Sequence, residues 1–153
     1  MAKSGQGKVA QEISLDTYKQ IMVAVVHASA VGLGEVLKNY KTRAEQTELI
    51  RSYANKIRFF PDQTGYFFVY DYDCLNIALP NPIEWQGKNL YDLKDSDGKY
   101  QIRELSAAAK KGGGFVEYRW LKPGSTEHRK KISYAEPIPG TQYFIGTGAY
   151  IAD

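Results

Sequence analysis

The sequence predicts an α+β fold, with a five-stranded antiparallel sheet behind a long N-terminal helix. Three observations carry this expectation. Apolar residues recur at three- and four-residue spacing through the first third of the chain and again after residue 95. Five short runs rich in aromatic and β-branched residues occupy most of the remainder. The runs that follow one another are joined by short turns, which favours antiparallel pairing.

Residues 8–40 read as the first helix, with Met22, Val25, Val26, Ser29, Leu33, Val36, Leu37 and Tyr40 on one stripe and its first turns projecting beyond the core. Thr42-Arg43-Ala44-Glu45 has the form of a capping box and opens a second helix. Leu49, Ile50, Tyr53 and Ile57 form its apolar stripe, and it should end near Phe60-Pro61. Residues 65–71 and 75–79 read as two strands around a turn at 72–74. Pro80-Asn81-Pro82 must then leave the sheet, because neither proline can donate a ladder hydrogen bond. Residues 83–95 are a loop with room for one helical turn. Asp95-Ser96-Asp97-Gly98 opens a third helix with Ile102, Leu105 and Ala109 inward, and Gly112-Gly113-Gly114 stops it. Residues 115–121, 130–136 and 143–150 read as the last three strands.

Composition narrows the functional classes. A chain of 153 residues suits one domain with a real core, so residues 1–153 read as a single domain in which 1–7 are linker or appended residues. The net charge is +3, and Lys110-Lys111 and Arg129-Lys130-Lys131 are too short to form a basic stripe, which argues against nucleic acid as a partner. Cys74 is the only cysteine, so an intrachain disulfide and a cysteine-based zinc cluster are excluded, and the residue is expected to be a semi-buried, inert strand position. The chain lacks an uninterrupted run of about 18 apolar residues, so a membrane span is not expected within it. Its first residues lack the apolar core of a signal peptide.

Catalytic machinery is not expected either. His27 lies on the first helix and His128 in a turn, and neither adjoins a nucleophile motif. The triple glycine follows a helix rather than preceding one, so it is a terminator and not a phosphate cradle. Asp71, Asp73, Asp95 and Asp97 lack the closing glutamate of a calcium loop and suit turns and caps. The reading is therefore a binding module rather than an enzyme, with neither cofactor nor metal.

An ordered set of runs gives that module a family. They are Gly65-Tyr66-Phe67-Phe68-Val69-Tyr70-Asp71, Gly87-Lys88-Asn89-Leu90 and Asp95-Ser96-Asp97-Gly98-Lys99. The later ones are Gly112-Gly113-Gly114-Phe115-Val116-Glu117-Tyr118-Arg119-Trp120, Lys131-Ile132-Ser133-Tyr134 and Ile145-Gly146-Thr147-Gly148-Ala149-Tyr150. Together they resemble the single Cache domain, second type, the extracytoplasmic sensor of chemoreceptors and sensor histidine kinases. The chain departs from the family pattern in three places. Cys74-Leu75 stands where glycine is usual, Leu79 where histidine often precedes the proline, and Gln142 to Phe144 where tryptophan is favoured.

The resemblance implies a PAS-like fold with a pocket on one face of the sheet, covered by helical and loop segments. It also implies membrane anchoring through flanking spans, and a location on the periplasmic or extracellular face of the cytoplasmic membrane. The expected ligand is a small carboxylate such as acetate, propionate, lactate or pyruvate. Lys131 matches a lysine of the family pattern, and a buried ammonium would welcome an anion; alternatively it continues the exposed Arg129-Lys130 cluster. Tyr66, Phe68 and Tyr70 share one strand face and Tyr118 and Trp120 another, which makes either an aromatic cup with polar tips or simply a packed core. Trp85 lies in the covering connection. Tyr134 joins the candidates, although a regular strand turns it away from Lys131 and Ser133. Arg103 reads as part of a solvated face. The alternative function is a PAS-like module without a ligand, dimerising through the long helix.

Overall fold

In the computed structural model, which describes residues 12–153, the sheet is sandwiched between two layers of helix and loop. The elements run α1 (Leu15–Leu37), α2 (Arg43–Ala54), β1 (Phe67–Asp71), β2 (Asn76–Ala78), a single 3-10 turn (Ile83–Trp85), α3 (Gln101–Lys110), β3 (Gly114–Leu121), β4 (His128–Pro137) and β5 (Tyr143–Tyr150). The strands lie in the order β2-β1-β5-β4-β3 and every pairing is antiparallel. The α+β reading and all five strands are therefore as expected.

Helix limits differ from the sequence reading, and local hydrogen bonds account for the differences. The Ser14 hydroxyl accepts from the Thr17 amide and starts α1 at Leu15. At the other end the amides of Asn39 and Tyr40 turn to the carbonyls three residues back, which tightens and closes the helix. Residues 8–11 of the predicted helix lie outside the described residues. The capping box forms in part: the Thr42 hydroxyl accepts from the Glu45 amide. Yet α2 stops at Ala54, because Phe59 pairs with Gly65 in a closed turn and Phe60 adopts a left-handed backbone with φ 67°. Asp95 does not open α3. Its Oδ1 accepts from the amides of Asp97 and Lys99, forming a separate turn, and the helix begins at Gln101. Cys74 is not a strand residue: it occupies the β1–β2 turn with φ 67°, fully buried, and burial pushes its thiol up to about 11.

Strand alternation divides the core in two. One sheet face carries Phe68, Tyr70, Val116, Tyr118, Trp120, Ala135 and Phe144 beneath Ile102, Leu105 and Ala109 of α3. The opposite face carries Phe67, Val69, Ile77, Tyr143 and Ile145 beneath Val26, Ala30, Leu33 and Leu37 of α1 and Ile50 and Ala54 of α2. An 18-residue stretch of α1 has a mean hydropathy of 1.6, so the helix is long and apolar enough to cross a bilayer by length and composition alone. Here its inner stripe packs on the sheet. Val31 is exposed on the side turned away from the sheet, and Val23 and Val36 are exposed on opposite flanks of the buried stripe.

Two glycines of β5 let the layers close. A Cβ at Gly148 would lie 2.2 Å from Ser133 Oγ and 2.5 Å from Lys131 Cε, and one at Gly146 would lie 2.5 Å from the Phe68 ring. Gly148→Ala should therefore cost about 1–3 kcal/mol through forced repacking, lowering the melting temperature by several degrees in a calorimetric scan. Thr42→Ala removes only the α2 cap and should cost about 1 kcal/mol.

Candidate ligand-binding site

The site is built around one side chain. Lys131 lies near the start of β4, and the sheet and its cover leave it 1% exposed. Its Nζ donates to the Tyr66 hydroxyl at 2.9 Å. It lies 4.3 Å from the centre of the Tyr66 ring, 5.3 Å from that of Tyr150 and 5.6 Å from that of Phe68. These are cation–π distances. Among the described residues no carboxylate pairs with it: every ion pair in the structure involves other cations. Burial pulls its pKa below the usual lysine value, and the neighbouring Tyr66 hydroxyl offsets this only in part.

Polar groups converge on the same place. The Tyr118 and Ser133 hydroxyls lie 2.8 Å apart. Burial, with the Tyr66 hydroxyl as the next contributor, raises Tyr118 and Tyr150 well above the usual phenol range, so both stay neutral donors at any physiological pH. The Tyr66 hydroxyl in turn donates to the Asn81 carbonyl at 3.2 Å, and the Trp120 indole N–H donates to the same oxygen at 3.0 Å. The Asn81 side-chain amide donates to the Leu121 carbonyl at 2.8 Å, which also accepts the Tyr150 hydroxyl at 2.6 Å. The proline-flanked loop is thus fastened to β3 and, through the Tyr66 hydroxyl, to the lysine.

The sequence candidates divide accordingly. Lys131, Tyr66, Phe68 and Tyr118 are brought together, and Lys131 is buried rather than part of the exposed basic cluster. Trp85 stands one layer back, edge-on to Trp120 with ring centres 5.3 Å apart. Tyr134 faces away: it belongs to the α1 side, where its hydroxyl donates to Glu136, itself 2.9 Å from His27 of α1. Regular alternation in β4 separates it from Lys131, so its place among the site residues is corrected. Arg103 is held outside the site, between the rings of Tyr91 and Tyr100 at 3.8 Å each and bonded to Asp92 at 2.8 Å. It clamps the loop to α3.

Two members escaped the sequence reading. Tyr150 sits directly across from Lys131 in the β4–β5 register. The alternation Gly146, Gly148, Tyr150 would have revealed it had the register been known. Asn81 acts through its backbone carbonyl, for which side-chain identity carries no signal.

Comparisons with known proteins bear on the fold and the family. The family model described as Cache domain matches residues 7–153. The sensor histidine kinase MctS of Rhizobium johnstonii is 33% identical over 147 residues, covering 92% of this chain and 32% of that protein. The chain thus spans about a third of that relative's length. A methyl-accepting chemotaxis protein from Vibrio parahaemolyticus superposes with a TM-score of 0.76 at 32% identity, covering 90% of this chain and 91% of its own. A Cache chemosensory domain described for carboxylic acid recognition superposes with a TM-score of 0.76 at 27% identity, over 92% and 100% of the two chains. With its sheet, its helical layers and nearly its whole length accounted for in this way, the chain belongs to the Cache domain family, the sensor domains of chemoreceptors and histidine kinases.

Proposed function

We propose that this domain binds a small monocarboxylate at Lys131 and reports its presence within a membrane-anchored chemoreceptor or histidine kinase, on the outer side of the cytoplasmic membrane. The observation that carries the reading is a fully buried ammonium with a single hydroxyl partner and no carboxylate among the described residues. A buried charge is costly unless paired, and an anionic ligand supplies the missing partner. Lys131 provides the charge, the Tyr66 and Tyr118 hydroxyls orient the carboxylate, and Phe68 with the Trp85–Trp120 pair keeps water out. One cation in the cluster suits one carboxylate. The recognition of carboxylic acids by a Cache domain of similar fold supports the same ligand class.

We read the role as binding: among the described residues, those around Lys131 are hydroxyl-bearing and aromatic. The exposed Val31, on the side of α1 turned away from the sheet, motivates a second, compatible reading, a homodimer through that helix. Sedimentation of the wild type and of Val31→Asp tests it: a dimer that the substitution dissociates supports the reading, and a monomer at high concentration ends it.

Thermal unfolding against a panel of small acids, amino acids and amines tests the main reading. A ligand at about 100 times its dissociation constant adds about 2.7 kcal/mol, a rise of about 5–10 °C for a domain of this size. The rise should be confined to short carboxylates and lost in Lys131→Met. The same variant should raise the unliganded stability by about 1 kcal/mol or more, because it removes an uncompensated buried charge. A panel without any shift would defeat the reading.

The pH dependence has a definite sign. The folded state releases the Lys131 proton more readily than the unfolded chain does. Unliganded stability therefore gains as pH rises through the depressed pKa towards about 10.4. Carboxylate affinity should fall over the same window, which titration calorimetry between pH 7 and pH 10 would measure.

A further inference from the structure

Gln101 is the first residue of α3 and is 1% exposed. Its Oε1 is buried without a hydrogen-bond partner among the described residues. An amide oxygen left in that state has given up its hydration without a replacement, a condition shared among the described residues only by Asn55 Oδ1, and native structures rarely keep such a group without a use.

The helix that carries this residue lies on the ligand side of the sheet. Residues 101 and 105 lie one turn apart on the same helix face, and Leu105 packs in the cluster that contains Tyr66, Phe68 and Tyr118. The chain just ahead of α3 is fastened on both sides of Tyr118: Asp95 Oδ2 accepts from the Arg119 amide at 3.0 Å, and the Lys99 ammonium donates to the Glu117 carbonyl at 2.6 Å. The first turn of α3 therefore sits at the level of Tyr118, which is the register partner of Lys131.

We infer that Gln101 is a specificity-determining contact that accepts a hydrogen bond from a hydroxyl beside the ligand's carboxylate, so that the preferred ligand is a small 2-hydroxy monocarboxylate. This rests on the carboxylate reading of Lys131. The carboxylate takes the ammonium and the tyrosine hydroxyls, all of which are donors. A hydroxyl on the neighbouring carbon then has an acceptor waiting, which a plain fatty acid leaves unused.

Isothermal titration with L-lactate and with propionate, which has the same carbon skeleton without the hydroxyl, tests the inference. The wild type should bind lactate about tenfold more tightly, within the range set by one satisfied buried acceptor. Gln101→Leu should remove that preference by weakening lactate while leaving propionate unchanged or tighter. Propionate binding as tightly as lactate to the wild type overturns the role of Gln101 and leaves the carboxylate reading standing. So does a Gln101→Leu variant that weakens both acids equally. Failure of the wild type to bind either acid overturns both readings. The wild-type comparison decides the matter even where the variant does not fold.

Discussion

A lysine ammonium taken wholly out of water, with aromatic faces and one hydroxyl around it, is the constraint on which the rest of this structure is arranged. The charge sits in the middle of a sheet face, so its neighbours must be tolerant of it and also thin enough to admit its stem. Gly148 answers the second need, since any larger residue would collide with Lys131 Cε and Ser133 Oγ. Tyr66, Tyr150 and Phe68 answer the first by turning their ring faces towards the cation at 4.3–5.6 Å. Burial still holds the Lys131 pKa below the usual lysine value, which the Tyr66 hydroxyl offsets only in part. Stability is left unclaimed at the point where an anion would bind, the usual arrangement of a site that trades rigidity for function.

The same cluster connects the site to the edges of the domain. The Asn81 carbonyl receives Tyr66 and Trp120, while its amide shares the Leu121 carbonyl with Tyr150. Tyr150 ends β5, and Ile151 follows with its amide held by the Lys130 carbonyl. Arg119 then reaches Asp153 at 3.1 Å. A carboxylate that drew the Tyr66 hydroxyl away from Asn81 would alter the fastening of the covering loop. On the other face, the Glu136 carboxylate joins β4 to α1 through His27 and also accepts the Tyr134 hydroxyl of its own strand. The middle of α1 and the end of the described chain are thus both tied to strands that carry residues of the Lys131 cluster.

Much of the fold was legible in the sequence because its signals are local. The aromatic run before Asp71, the triple glycine after α3 and the Thr42 cap each specify their element through neighbours only a few residues away. Boundaries were less legible where a longer-range contact decides them. α2 ends early because Phe59 pairs with Gly65, and α3 starts late because Asp95 turns back on Asp97 and Lys99 and reaches across to Arg119. Within the site, Lys131 stood out because a lysine in an apolar strand is conspicuous, and Tyr66, Phe68 and Tyr118 followed from period-two alternation. Tyr150 and Gln101 needed the strand register and the helix position, and Asn81 needed a backbone carbonyl to be located. Tyr134 was misplaced against the same alternation rule that sets it on the α1 face.

The measurement that addresses the buried ammonium most directly is an NMR titration of the Lys131 side chain, with lysine labelled at Nζ and Cε and Lys131→Met used for assignment. The account predicts an apparent pKa below the ordinary lysine value of about 10.4 in the unliganded domain, and a rise when a saturating short monocarboxylate pairs with the charge. A Lys131 pKa at the ordinary value, or one that a carboxylate leaves unmoved, would contradict it.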